Sequence, residues 1–285
     1  MMDPQLVYTG SELRQALQDK HGQVGLVMTM GALHEGHLDL VRAARKANDV
    51  VVVSIFVNPI QFAPEEDYGA YPRDLQQDVQ ALSKVGADVV FAPSPETMYP
   101  NGQPQISFQV GQVGANYEGA ARPTHFAGVV QIVSKVFNLV RPHRAYFGQK
   151  DAQQLAVVRQ LVRDLDYPIR IEAIPIRREP SGLALSSRNA YLSPEEHEQA
   201  TALNKALTAG LQAAAATGSA TSVLETTKAV LEQAPGVQTE YVALVDPNTM
   251  EEVREGQKVT ATLMLAARVG STRLIDNTLV VLGPR

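Results

Sequence analysis

The residues best suited to chemistry in this 285-residue chain fall in a few short segments. In Met28-Thr29-Met30-Gly31-Ala32-Leu33-His34-Glu35-Gly36-His37, an apolar run passes through a glycine turn into a helical stretch beginning near His37. Such a junction offers free N–H groups and a partial positive charge to a phosphate, and imidazoles three residues apart can face that anion together. A His-x-x-His pair in isolation also caps backbone groups; the strand, glycine and helix around it favour the anion. A zinc-protease helix needs histidines four apart and a third ligand, and this chain has no cysteine to supply a thiolate.

A second junction, Phe147-Gly148-Gln149-Lys150-Asp151-Ala152-Gln153-Gln154, repeats the pattern with a lysine at the entry to the helix. The Lys150 ammonium suits an anion as a point charge, Asp151 suits Mg²⁺ or a ribose hydroxyl, and Gln154 follows one turn on. A third segment, Gly182-Leu183-Ala184-Leu185-Ser186-Ser187-Arg188-Asn189, combines hydroxyls with one guanidinium. It reads as a loop able to close over a polyphosphate, or as a solvated turn before the next helix. A fourth, Ser54-Ile55-Phe56-Val57-Asn58-Pro59-Ile60-Gln61-Phe62, leaves a buried strand with two amides, followed by Tyr71-Pro72-Arg73. Those amides can read a small polar substrate, or Asn58-Pro59 can be an ordinary turn.

The elements that must position these segments alternate. Val24–Thr29, Val50–Val57, Asp88–Ala92, Ala145–Phe147 and Arg170–Ile174 read as strands, several too continuously apolar to have a wet face. Leu75/Val79/Leu82, then Val129/Ile132/Val133/Val136/Val140, then Leu155/Val158/Val162/Leu165 recur at helical steps. This spacing predicts βαβ units, a mostly parallel sheet and ligands beyond the carboxyl ends of its strands. Two prolines and a glycine between Ile174 and Gly182 break the pattern, dividing residues 1–175 from 176–285. Ser193-Pro194-Glu195-Glu196 is a capping box opening a helix toward residue 216, and a second helix is expected near 220–233. Strands at Thr239–Val245, Lys258–Ala266 and Thr272–Val281 would complete a small α+β domain.

Composition narrows the class. Apolar residues at 45% and charged residues at 19% indicate a globular protein. With 25 Lys+Arg against 30 Asp+Glu, the net charge of −5 provides no overall positive field for nucleic acid. No basic leader precedes an apolar stretch and no apolar run is long enough to span a bilayer, so a cytoplasmic protein without a membrane partner is expected. The absence of cysteine also excludes an enzyme thioester as an activated acyl group.

Met30 to His37, Val57 to Phe62, Tyr71 to Arg73, Phe147 to Asp151 and Leu185 to Asn189 together resemble the pantothenate synthetases, the pantoate–β-alanine ligases, in order and spacing over nearly the whole chain. The resemblance implies a Rossmann-like, doubly wound parallel sheet with a smaller C-terminal lid, a homodimer, and ATP with Mg²⁺. It implies formation of pantoyl adenylate and attack on it by β-alanine, giving pantothenate and AMP. By motif, Met30, Gly31, Ala32, Leu33, His34, Glu35, Gly36 and His37 would line the ATP site, with His34 and His37 on the phosphates and His37 the general acid. Gly148, Gln149, Lys150, Asp151, Leu185, Ser186, Ser187 and Arg188 would surround ATP, Lys150 and Arg188 acting catalytically and Asp151 toward the metal. Gln61 and Gln154 would hold pantoate, Gln61 would also approach β-alanine, Asn58 and Tyr71 would stand near them, and the Arg177 backbone would meet adenine. The chain departs from the family pattern at Met28, Arg177 and Leu185, where proline, a small apolar residue and methionine are usual. Two other readings share parts of this signature: a nucleotidyltransferase acting on a phosphorylated small molecule, and a non-catalytic nucleotide-binding or tRNA-binding relative.

Overall fold

The computed structural model describes residues 3–63 and 68–283. Its first half alternates strand and helix: β1 Gln5–Val7, α1 Gly10–Gln18, β2 Val24–Thr29, α2 Glu35–Ala47, β3 Val50–Ile55, α3 Leu75–Ser83 and β4 Val89–Phe91. After the short helices α4 Pro95–Met98 and α5 Glu118–Ala121 come α6 His125–Val140, β5 Arg144–Gly148, α7 Ala152–Asp164 and β6 Arg170–Ile174. The six strands form one parallel sheet in the order β1-β4-β3-β2-β5-β6. The chain leaves β2 toward β3 on one side and returns on the other through β5. The switch point of this doubly wound sheet therefore lies at the carboxyl ends of β2 and β5, where open α/β sheets bind ligands.

The continuous apolar runs behave as their composition requires, with Val50, Val51, Val52 and Val53 of β3 all buried. The α2 and α3 stripes pack Val41, Ala44 and Leu82 on Val27, Val51, Val53 and Val90 of the sheet. β3 stops at Ile55, short of the expected Val57, because the chain turns toward Asn58. β1 and α1 have no counterpart among the sequence expectations, although Thr9 and Glu12 form a capping box at the start of α1.

The second half holds α8 Pro194–Thr217, α9 Ala220–Glu232 and an antiparallel sheet of β7 Val237–Val245, β8 Val259–Val269 and β9 Thr272–Leu282 in that order. The Ser193/Glu196 capping box opens α8 as expected, Glu196 N–H donating to Ser193 Oγ at 3.3 Å. Leu203, Leu207, Leu231, Leu263 and Leu265 form a core of their own. Fully burying each such side chain is worth about 1.5–3 kcal/mol.

Residue contacts divide the chain into a unit of residues up to Gln149 with Val157–Pro175, and a unit of Lys150–Ala156 with residues from Ile176 onward. Residues 150–156, placed by sequence with the N-terminal region, thus group with the C-terminal one. The hydrogen bond from Asn277 Nδ2 to the Lys150 carbonyl, 2.9 Å, is one physical reason.

Candidate active site

Beyond β2, Gly31 and Ala32 both take positive φ, +84° and +51°, folding the chain back before His34 caps α2. Alanine pays roughly 1–2 kcal/mol for that conformation, so something must hold it there. The holder is Asp78 on α3, whose carboxylate accepts the Ala32 N–H at 3.1 Å and the Leu33 N–H at 2.8 Å. A Cβ on Gly31 would stand 3.0 Å from Asp78 Oδ2, which adds crowding to the backbone reason for glycine there. Asp78 is 3% exposed; burial pushes its carboxyl above the ordinary value, and the two main-chain hydrogen bonds pull the other way.

His34 and His37 stand stacked beyond this loop, ring centroids 4.0 Å apart and planes 23° from parallel. α2 begins at Glu35, two residues before the expected His37, so both imidazoles sit in its first turn. The His34 N–H donates to His37 Nδ1 at 3.4 Å. An N–H can only donate, so Nδ1 is the bare nitrogen and Nε2 carries the ring proton. A polyphosphate at the helix terminus would accept from the main-chain N–H groups there and from the His37 Nε2–H.

The turn after β3 builds a second arrangement in the same unit. Asn58 is 1% exposed, and both of its amide hydrogens are used, on Gln61 Oε1 at 3.3 Å and Gly128 O at 3.0 Å. Its oxygen accepts from the Tyr99 hydroxyl at 2.8 Å, and burial pushes the Tyr99 phenol up. Asn58 therefore supports Gln61, whose own amide nitrogen reaches Met30 Sδ at 3.0 Å and ties this turn to the β2 loop. Behind the turn, Gln61 O meets His125 Nδ1 at 3.1 Å and Arg122 Nη2 at 3.4 Å, and Arg122 Nη1 lies 3.2 Å from His125 Nε2. A carbonyl only accepts and a guanidinium only donates, so His125 is protonated on Nδ1 and bare on Nε2. At Gly128 of α6 a Cβ would fall 2.6 Å from Gln61 Cα, so glycine is what lets helix and turn touch. Tyr71 is buried edge-on against Phe62, ring centroids 6.2 Å apart.

Gly148 ends β5, and the Gln149 N–H continues the parallel ladder to Ile174 O at 2.8 Å. In the C-terminal unit, Lys150 precedes α7, the main-chain carbonyl of the exposed Asp151 accepts the Leu155 N–H at 2.9 Å, and Gln154 lies half-buried in the first turn. Arg177 is exposed, and its carbonyl accepts the Leu185 N–H at 2.9 Å, closing residues 177–185 into a short hairpin. Arg178, adjacent to the expected Arg177, grips Asp276 of β9 through both terminal nitrogens, at 2.6 and 2.9 Å. Ser186 accepts the Arg188 N–H at 3.2 Å, so Ser187 and Arg188 enter a 3-10 turn in defined positions.

Sequence reasoning missed Asp78, Tyr99, Arg122, His125, Arg178, Asp276 and Asn277. Two of them carried a signal: Asp78 lies on the Leu75/Val79/Leu82 stripe of α3, and Asp276 has the buried parity of Leu274, Val280 and Leu282 in β9. A carboxylate at a core position needs donors, and such donors often hold functional loops.

Among the described residues no three His, Asp or Glu side chains gather as a metal cage. Mg²⁺ held mainly by substrate phosphates and water needs only one or two protein carboxylates, and Asp151 fits that more modest requirement.

The pantoate–β-alanine ligase family model matches residues 5–279. A pantothenate synthetase from Mycolicibacterium vanbaalenii is 50% identical over 272 residues, covering 94% of this chain and 85% of that protein. One from Thermobifida fusca is 50% identical, covering 96% and 95%. The crystal structure of a pantothenate synthetase from Thermus thermophilus superposes with a TM-score of 0.92 at 48% identity, covering 96% of this chain and 98% of that one. That of a Francisella tularensis pantoate–β-alanine ligase, described as complexed with β,γ-ATP and β-alanine, superposes with a TM-score of 0.80 at 33% identity, covering 97% of each chain. Match and coverage extend over both units, and the chain belongs to the pantoate–β-alanine ligase family.

Proposed function

We propose that this protein condenses D-pantoate with β-alanine, consuming ATP and releasing AMP and pyrophosphate. The observation that carries the reading is the stacked His34–His37 pair at the start of α2, beyond β2 at the sheet's switch point, in a chain of this family.

A carboxylate is a poor electrophile because its charge repels nucleophiles and its leaving group would be oxide. Adenylation removes both obstacles. A pantoate carboxylate oxygen attacks the α-phosphorus, the bond to pyrophosphate breaks, and charge grows on the departing oxygens. His34, His37, Lys150 and Arg188 are assigned to stabilise that charge, and His37 is suited to it because its proton sits on Nε2. Mg²⁺, taken with the nucleotide and with Asp151, would supply further neutralisation of phosphate charge. The β-alanine amine then attacks the acyl carbon, loses a proton, and expels AMP.

Met30 to His37 and Gly148 to Asp151 are assigned to ATP, with Leu185, Ser186, Ser187 and Arg188 as its closing loop and the Arg177 backbone toward adenine. Gln61 and Gln154 are assigned to pantoate. The Asn58 and Tyr71 assignments become supporting ones, because Asn58 is fully engaged in holding Gln61 and Tyr71 packs on Phe62. A C-terminal lid, a homodimer and a cytoplasmic site follow from the family reading; among the described residues no helix is long and apolar enough to cross a membrane.

The deciding experiment incubates the protein with Mg²⁺-ATP, D-pantoate and β-alanine. AMP and pantothenate should appear in equal amounts only when every component is present. A dinucleotide-like product, or binding of ATP without turnover, would replace this reading with one of its rivals.

A further inference from the structure

Lys150 is held by a residue 127 positions away. Asn277 in β9 donates from Nδ2 to the Lys150 carbonyl at 2.9 Å. That carbonyl lies one residue before the one that opens the α7 hydrogen-bond ladder, so the contact fixes main chain that the helix itself leaves loose. Asn277 is in turn fixed from behind: its N–H donates to Asp276 Oδ1 at 2.7 Å and its carbonyl accepts from Arg178 Nη2 at 3.4 Å. Arg178, bidentate on Asp276, also donates to Gly182 O at 3.1 Å, at the turn that leads into Ser186–Arg188. Asp276 is 2% exposed. A buried ion pair contributes little net stability for its desolvation cost, and its best-attested use is to specify one register.

We propose that Asn277 is a positioning residue for Lys150, and that the Arg178–Asp276 pair is a shared anchor setting Lys150 and the Gly182–Arg188 segment together. The proposal rests on the reading of Lys150 as a phosphate-stabilising group. A lysine ammonium rides on a flexible stem, so its mean position follows its main chain, and a displacement of about 1 Å at a reacting centre costs on the order of a hundredfold in rate. Neither Asn277 nor Arg178 has to touch substrate for this effect.

The test pairs a kinetic cycle with a structural readout on the full-length protein. Asn277→Ala removes the donor; Asn277→Asp keeps the shape without the donor and guards against a folding artefact. Pantoate-dependent ATP–pyrophosphate exchange is measured in the parent and in a Lys150→Ala background, at enzyme concentrations that register the residual rate. In the parent, each Asn277 substitution should lower the exchange kcat about tenfold with less than about a threefold change in the KM for ATP; in the Lys150→Ala background the loss should shrink below about twofold. Hydrogen exchange of residues 149–156 should accelerate about tenfold while that of residues 26–40 stays at parent values. Equal losses in both backgrounds, or unchanged exchange at 149–156, overturns the proposal and leaves the Lys150 reading standing. Near-normal activity of Lys150→Ala alone overturns that reading and the proposal with it.

Discussion

The loop after β2 and the hairpin before Ser186 are anchored at opposite poles of the peptide dipole. Residues 32 and 33 hang from Asp78, a buried anion that gathers main-chain N–H groups. Gly182 and Asn277 hang from Arg178, a cation that gathers main-chain carbonyls. The first loop contains Ala32 at φ +51°, a conformation that costs energy; the second makes its turn at Gly182, φ +91°, where glycine adopts it freely. Asp78 therefore has strain to restrain, whereas Arg178 has only looseness to remove. The same anchoring task takes two chemistries, chosen by which backbone atoms must face inward.

Breaking the second anchor should have the largest effect. Asp276→Ala leaves the Arg178 guanidinium without its carboxylate and should cost about 3–5 kcal/mol of unfolding free energy by denaturant titration, whereas Arg178→Met combined with Asp276→Leu should recover most of it. A single-variant loss below about 1 kcal/mol would mean that solvent or another carboxylate takes over the pairing.

At the first loop the larger effect should be on rate. His37→Ala should lower pantoate-dependent ATP–pyrophosphate exchange at least about a hundredfold, near 3 kcal/mol of transition-state stabilisation, with the fold intact by circular dichroism. Near-normal exchange would remove His37 from the catalytic assignment.

The smallest effect belongs to the Asp78 anchor and reports its charge. Because burial raises its carboxyl, the native state holds the proton more tightly than the unfolded chain does. The associated stability is complete below the ordinary carboxylate value of 3.8 and is lost as pH rises through the raised one. Asp78→Asn abolishes this titration, so its thermal midpoint, lower at acid pH, should gain on the parent by a few degrees between about pH 4 and about pH 7. A constant gap across that range would mean that the two N–H donors fully offset the burial.

Legibility in the sequence followed physical range. Val24–Thr29 and the α3 and α6 stripes were readable because strand and helix periods are local, and the Ser193 cap because its partners are three residues apart. The His34, Lys150 and Arg188 segments stand out as candidates because each carries its own chemistry in contiguous residues. The supporting contacts were not, because Asp78 reaches back 45 and 46 positions and Asn277 reaches 127, and no local pattern encodes such pairings. β1 escaped because three residues carry no measurable alternation.

The long reach of Asn277 also sets a clock during synthesis. Chains emerge at about 5–20 residues per second and fold N-terminal regions first, so once Lys150 is made the ribosome needs roughly 6–25 s to supply the 127 further positions that end at its anchor. From Ile174 onward the parallel sheet and the histidine pair have all their own residues, while the entry to α7 waits for a partner still to be translated. A nascent chain stalled in this window would carry a complete first loop and an unfastened lysine.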